Sequence, residues 1–178
     1  MTVKTSKKGF NRLVKNLVET DGKQIKSGIL KEDGADIHQE GNNHPITLAS
    51  ICYIQEFGLR YIHTGGTAYV EPKSGSPFFV GIKSGTEINI PERSFIRIPL
   101  MENNSHIKTV TKEAIISILS GKHVDRSLSE IGKAMRKTIK LAITGGDFDE
   151  LSDWAKKRKG SSKPLEGLER FIKYKIEG

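Results

Sequence analysis

Ile54-Gln55-Glu56-Phe57-Gly58 and, about thirty residues later, Ile90-Pro91-Glu92-Arg93-Ser94-Phe95-Ile96-Arg97 work as a stop signal and a start signal. In the first, a run of helical pattern closes on an aromatic residue and then a glycine, the residue that enters a positive-φ C′ position at least cost. In the second, Pro91 biases Asn89-Ile90 toward extended geometry and marks a strand-to-helix junction. Between them Gly65-Gly66, Pro72, Gly75, Pro77, Gly81 and Gly85 alternate with runs such as Thr67-Ala68-Tyr69-Val70 and Phe78-Phe79-Val80. That rhythm predicts β-hairpins joined by turns over about 59–87. Neither stretch carries a group suited to catalysis.

Upstream of the first stretch, Thr47 is placed to cap a largely buried helix through Leu48, Ala49, Ile51, Cys52 and Ile54. Residues 31–45 contain Gly34, Gly41, Asn42, Asn43 and Pro45 with few hydrophobes, and are expected to be a flexible loop. Lys23–Leu30 alternates weakly and predicts a strand. Before it, Phe10, Leu13, Val14, Leu17 and Val18 recur at helical spacing, with Ser6 as an N-cap. This predicts an amphipathic helix to about Glu19.

Downstream, a short helix is expected from about Arg93 to Glu102, with Pro99 interrupting it or shifting its start. Val110, Ala114, Ile115, Ile118 and Leu119 give the next helix, ended by Gly121. Another begins near Asp125 or Ser127 and runs to Gly145-Gly146. Asp147–Trp154 is expected to turn with a short helical piece, Lys156–Lys163 to be a basic loop, and Phe171–Ile176 to alternate as a last strand. Separated hairpin strands among helices predict a single α+β domain over 1–178, an antiparallel sheet packed against several helices, with an inserted β-hairpin and extended loops.

At 178 residues the chain is long enough to bury roughly 70% of its unfolded surface. No apolar run approaches the ~20 residues of a membrane-spanning helix, and the basic start leads into an amphipathic segment instead of a secretion signal. Cys52 is the single cysteine. It cannot form an internal disulfide, and its apolar neighbours suit a buried thiol in a cytosolic setting. There are 29 Lys and Arg against 21 Asp and Glu, a net charge of +8, gathered in the first fifteen residues and from Lys133 to Lys175. Such an excess favours acidic partners, or serves as solvated surface and oligomer contacts.

The chemistry-bearing residues form no familiar constellation. His38, His44, His63, His106 and His123 never occur at zinc-ligand spacing, and no phosphate-cradling loop or nucleophile elbow is present. Asp147, Asp149, Glu150 and Asp153 lack calcium-loop spacing and suit a helix N-terminus. The reading is therefore a chain with no catalytic residue, no metal and no cofactor. An alternative is a basic nucleic-acid-binding regulator, because Ser127–Thr138 has a superficial helix-turn-helix look and Arg136, Lys137 and Lys140 suit phosphates. Against it, Gly132 sits inside an unbroken apolar period.

A third stretch completes the pattern: Lys157-Arg158-Lys159-Gly160-Ser161-Ser162-Lys163-Pro164-Leu165, followed by Phe171-Ile172-Lys173-Tyr174-Lys175-Ile176. In this order the three resemble the "E-F-G … I-P-x-R-x-F-x-R … K-G-x-x-x-P-L" pattern of small tail-completion and head-tail joining (neck) proteins of tailed bacteriophages, a family that includes minor tail protein Z. The resemblance spans roughly 47–176. It carries structural roles onto Glu56, Phe57, Gly58, Pro91, Arg93, Phe95, Arg97, Pro164 and Leu165, and makes Lys156, Lys157, Arg158, Lys159 and Lys163 a charged contact patch. It departs from the family where Glu166-Gly167-Leu168 replaces an Asp-Thr-Gly turn, and where an inserted hairpin lengthens the span between the first two words. The resemblance implies a virion protein assembled in the host cytoplasm. It would form a ring of six copies between a head connector or head-closure protein and the tail tube or tail terminator, passing DNA without reading its sequence. No membrane partner is implied.

Overall fold

The computed structural model describes residues 7–35, 46–70, 76 and 78–178. In chain order the elements are α1 (Lys7–Thr20), β1 (Gln24–Ile29), α2 (Lys31–Gly34), α3 (Leu48–Phe57), β2 (Leu59–Ile62), β3 (Gly66–Val70), β4 (Phe78–Ile82), β5 (Glu87–Ile90), α4 (Arg97–Glu102), α5 (Asn104–Leu119), α6 (Val124–Gly145), α7 (Asp153–Lys159) and β6 (Ile172–Glu177). The class is α+β, with small antiparallel strand pairs packed against helices. Two compact units emerge, one of Met1–Leu30, Ile98–Lys140 and Phe171–Gly178, the other of Lys31–Arg97 and Leu141–Arg170. Among the described residues no helix is long and apolar enough to cross a membrane.

In the first unit, β1 and β6 pair antiparallel from Gln24↔Glu177 to Ile29↔Ile172. Ile25 and Ile176, opposite each other in that ladder, pack on a buried cluster of Ala114, Ile118, Val124, Leu128 and Ile131. The three- and four-residue spacings along α5 and α6 put these side chains on facing stripes. Burying each Ile or Leu contributes about 1.5–3 kcal/mol. Gly132 sits where a Cβ would lie 2.3 Å from Cδ2 of Tyr174. The ring thus lies against bare helix backbone, its hydroxyl 2.7 Å from Ser129 Oγ and the Arg136 guanidinium 5.6 Å from its centroid. Ser127–Thr138 is accordingly one uninterrupted helix. Gly132 admits a ring and does not make a turn.

The first helix departs from the usual rule that an amphipathic helix turns its apolar stripe inward. The buried residue of α1 is Asn16, 7% exposed, while Phe10, Val14, Leu17 and Val18 are 58%, 42%, 50% and 71% exposed. Asn16 Nδ2 donates to the Ile118 carbonyl at 2.9 Å and the Lys122 carbonyl at 3.1 Å. The Ile118 carbonyl also accepts from the Gly121 N–H at 3.0 Å, and carbonyls at a helix end, with a second lone pair to offer, favour a polar side chain in that seat. Ser6 lies outside the described residues.

In the second unit Thr47 caps α3, its hydroxyl accepting from the Ser50 N–H at 3.2 Å. The stretch expected as a loop over 31–45 begins instead with the helical turn α2, which packs against α3; residues 36–45 lie outside the described residues. The hairpin region is a nested ribbon. β2 pairs with β5 from Leu59↔Ile90 to Ile62↔Glu87, and β3 with β4 from Gly66↔Ile82 to Val70↔Phe78. His63 joins the two ladders, donating its N–H to the Thr86 carbonyl at 2.8 Å and accepting from the Gly85 N–H at 2.9 Å. The described residues of 59–70 and 78–90 thus make one two-stranded arm, which ends at Ile90, three residues later than the sequence suggests. Pro72, Gly75 and Pro77 lie outside the described residues. Every position of β2 is exposed, and Ile62 and Phe79 stand 71% and 73% in solvent.

Two boundaries move for identifiable reasons. α4 starts at Arg97, not Arg93, because Pro99 then falls in the first turn, where no N–H is needed. Lys156–Lys159, expected in a loop, belong to α7. Ser152 caps that helix by accepting from the Ala155 N–H, and Gly160 ends it at φ 73°, ψ 18°.

Candidate functional site

The first two sequence words meet at the base of the arm. Glu56, on the last turn of α3, is 6% exposed and turns its carboxylate onto the chain entering α4. One oxygen, Oε1, accepts from Ser94 Oγ at 2.6 Å and the Arg97 N–H at 2.9 Å. The other, Oε2, accepts from the N–H groups of Phe95 at 2.9 Å and Ile96 at 3.0 Å. Three backbone donors that α4 cannot satisfy internally are thus bound by a carboxylate 39 to 41 positions earlier in the chain. Phe95, between these donors, is fully buried.

Glycine is required beside the clamp. At Gly58 φ is 72° and ψ 172°, a region essentially open only to glycine, and a Cβ there would stand 2.9 Å from the Ile90 carbonyl oxygen. This is where the two arm strands enter and leave. Phe57 points outward, half exposed, tilted against Tyr53 with ring centroids 4.9 Å apart. The Arg97 guanidinium lies 5.2 Å from the Phe57 centroid and pairs with Glu92. The segment 91–94 carries no regular structure, and Pro91 opens it.

Arg93 ties the clamp to the later chain. Although 4% exposed, it donates from Nε to the Asp149 carbonyl at 3.0 Å, from one terminal nitrogen to Gln55 Oε1 at 3.1 Å, and from the other to the Glu150 carbonyl at 3.4 Å. Its own N–H donates to the Gln55 carbonyl at 2.7 Å. Burial lowers the Arg93 pKa, and the nearby Asp149 charge pulls it back up. Asp149 and Glu150, read from sequence as acids at a helix start, contribute their backbone oxygens here. Asp153 does occupy the first turn of α7.

The third word is held by its own lysines. Lys159 Nζ donates to the carbonyls of Lys163 at 2.6 Å and Pro164 at 2.8 Å, and Leu165 behind them is 1% exposed. Lys156 pairs with Glu150, a hydrogen bond that raises the lysine's pKa and lowers the carboxyl's. Two of the five predicted patch cations therefore serve the fold, while Lys157 and Lys163 are exposed; the Arg158 side chain lies outside the described part. Where the family pattern has Asp-Thr-Gly, Gly167 at φ 90° makes the turn, closed by the Leu168 N–H on the Leu165 carbonyl at 3.0 Å.

The geometry joins Glu56, Gly58, Arg93, Phe95 and Arg97 into one constellation. It also recruits Gln55 and Ser94, which sequence reasoning passed over although both stand inside the quoted words. His63 Nδ1 accepts from the Gly65 N–H and so belongs to the arm. Among the described residues no group of three or more His, Cys, Asp or Glu is placed to hold a metal ion. Comparison of the chain with family models, with curated proteins and with solved structures gives no match in any of the three.

Proposed function

We propose that this chain is a non-catalytic structural component of the neck or tail end of a tailed phage, forming a ring that completes the tail and joins it to the head. The observation that carries the reading is the use made of the motif residues. Glu56, Gly58, Arg93, Phe95 and Arg97 are engaged in fixing the root of a long, solvent-exposed β-arm. A subunit that assembles needs this combination of a rigid root and a protruding element. A two-stranded ribbon alone is marginal in water and gains its stability by packing on something else. The exposed Tyr53, Phe57 and Arg97 beside the root have the aromatic and Arg composition enriched at protein interfaces.

In this reading the partners are other copies of the chain, a head-connector or head-closure protein, and the tail tube or tail terminator. DNA passes without sequence recognition, and the protein resides in the virion. The test is to stop translation of the gene in the phage that encodes it and to examine the lysate by electron microscopy. Filled heads beside unjoined tails, restored to whole particles by supplying the wild-type chain, are the expected result. Intact infectious virions would overturn the reading. The nucleic-acid-binding alternative finds no turn within Ser127–Thr138 to build a helix-turn-helix from.

A further inference from the structure

Asn16 fixes α1 against the turn between α5 and α6, and a groove of about 750 Å³ opens along that seam, inside the first unit. Arg12, one helical turn before Asn16 on the same face, lies over the turn: a Cβ at Gly121 would fall 3.0 Å from Arg12 Cδ and 3.3 Å from its Nε. Gly121, at φ 87°, thus leaves the arginine its seat. Lys122, His123 and Arg126 line the same groove from the turn and the start of α6. Among the described residues Arg12, Lys122 and Arg126 form no ion pair. Two carboxylates share the groove, Glu113 and Glu130, and Glu130 is already bound by Lys133 at 2.8 Å. The Ser120 and Ser127 hydroxyls donate to nearby backbone carbonyls, which leaves the Ser117 hydroxyl to donate into the groove.

The cations continue beyond the groove. Lys8, Arg12 and Lys15 stand at i, i+4 and i+7 on one face of α1 and share a second recess, so Arg12 belongs to both; the row ends at Glu19. At about 1.5 Å per residue it runs about 10 Å along the helix. A lone small anion meets only part of such a row, whereas a DNA duplex, with one negative charge per about 1.7 Å of its axis, meets all of it. The arginine fork fits phosphate oxygens. Among the described residues lining the two recesses there is no Phe, Tyr or Trp to stack on an unpaired base. From this arrangement we infer that the seam between α1 and the α5–α6 turn grips the phosphate backbone of duplex DNA without reading its bases. Arg12, Lys122 and Arg126 hold phosphates in the groove, and Lys8 and Lys15 extend the contact along the duplex. Contacts of this kind let DNA slide. The inference deepens the neck reading, in which DNA passes the ring, and rests on it for its biological use.

The experiment is fluorescence anisotropy of a short labelled duplex titrated with the full chain at several salt concentrations. Wild type is expected to bind, with log Kd rising linearly with log salt, and unlabelled duplexes of unrelated sequence should compete equally. Arg12→Gln combined with Arg126→Gln, both at exposed positions, should weaken binding at least about tenfold at low salt and flatten the salt slope by about two, with unchanged circular dichroism and melting. Lys108→Gln combined with Lys112→Gln removes the same charge from exposed positions of α5 that do not line the groove, and should cost less than about threefold. A wild-type chain with no affinity for duplex at low salt overturns the inference. Equal losses in the two double variants also overturn it, by assigning the binding to net charge alone. Preference for one sequence or for single strands overturns it, as does binding to vesicles of mixed phosphatidylcholine and phosphatidylglycerol in place of duplex. Unjoined heads and tails in the stop-codon lysate together with a chain that binds no duplex would sink the groove and leave the neck reading standing; groove-dependent binding by a chain whose loss leaves infectious virions would do the reverse.

Discussion

Glu56→Ala removes the acceptor for four donors at once and is the sharpest perturbation of the arm root. The Phe95 N–H and the Ser94 hydroxyl belong to buried residues, and each unsatisfied buried donor costs about 1–3 kcal/mol. Ile96 and Arg97 are partly exposed residues and their part-buried N–H groups add less. Part of the loss is returned, because alanine leaves no carboxylate to desolvate. The balance is about 3 kcal/mol, a large share of the roughly 5–15 kcal/mol that holds a domain together. At about 2–4 °C per kcal/mol for a chain of this size, Tm should fall by about 10 °C. Glu56→Gln keeps one oxygen as acceptor but turns an NH₂ group toward the remaining donors, so it should fall between the parent and alanine. Thermal melting gives the magnitude. Amide exchange gives the place, with protection lost at Phe95, Ile96 and Arg97 and at the strand ends near Leu59 and Ile90. An alanine variant within about 1 kcal/mol of the parent, or unchanged exchange at 95–97, would refute the clamp.

Gly132→Ala should destabilise by about 1–3 kcal/mol, although the same change in an open helix stabilises, because the new methyl meets the Tyr174 ring; Tyr174→Ala in the same chain should relieve most of that cost in a denaturant titration. Asn16→Leu should cost about 1–3 kcal/mol by taking the side-chain donor from the Lys122 carbonyl and leaving the Ile118 carbonyl with backbone donors alone, measured in the same way, despite adding apolar surface. Burial pushes the Cys52 thiol up from the ordinary 9.0 to about 11, so a thiol reagent should modify it only as fast as the chain opens. The folded pKa being the higher, this group's contribution is intact below 9.0 and is lost as the pH rises toward 11, and Cys52→Ala should abolish that slope in melts over this range.

Much of the local structure was legible. Thr47, Gly58, Gly121 and Gly145-Gly146 bound helices where their cap and stop chemistry predicts, and Pro99 shifts the start of α4 as its missing N–H requires. Less legible were arrangements whose partners lie far away in sequence. Glu56 reads as one residue of a motif, but its role depends on donors about forty positions on, and no local pattern states that. Asn16 falls outside the apolar stripe of α1, and only its bonds to the Ile118 and Lys122 carbonyls around the end of α5 explain why the helix docks by that edge. Gly132 looks like a flaw in α6 until Tyr174 arrives from the last strand. Of the basic run at 156–163, the residues 156–159 belong to a helix although Lys and Gly suggest a loop, because Ser152 and Gly160 carry the quieter helix signals; 160–163 are the loop the sequence predicts.

The claim that this chain builds the phage neck is tested most directly by a cryo-electron microscopy reconstruction of the head-tail junction in purified virions. The account predicts a ring of copies between the head connector and the tail tube, with the α+β fold recognisable in its density and the arm rooted at Gly58 and Ile90 reaching from each subunit. Virions that contain the junction but no copy of this chain would contradict it.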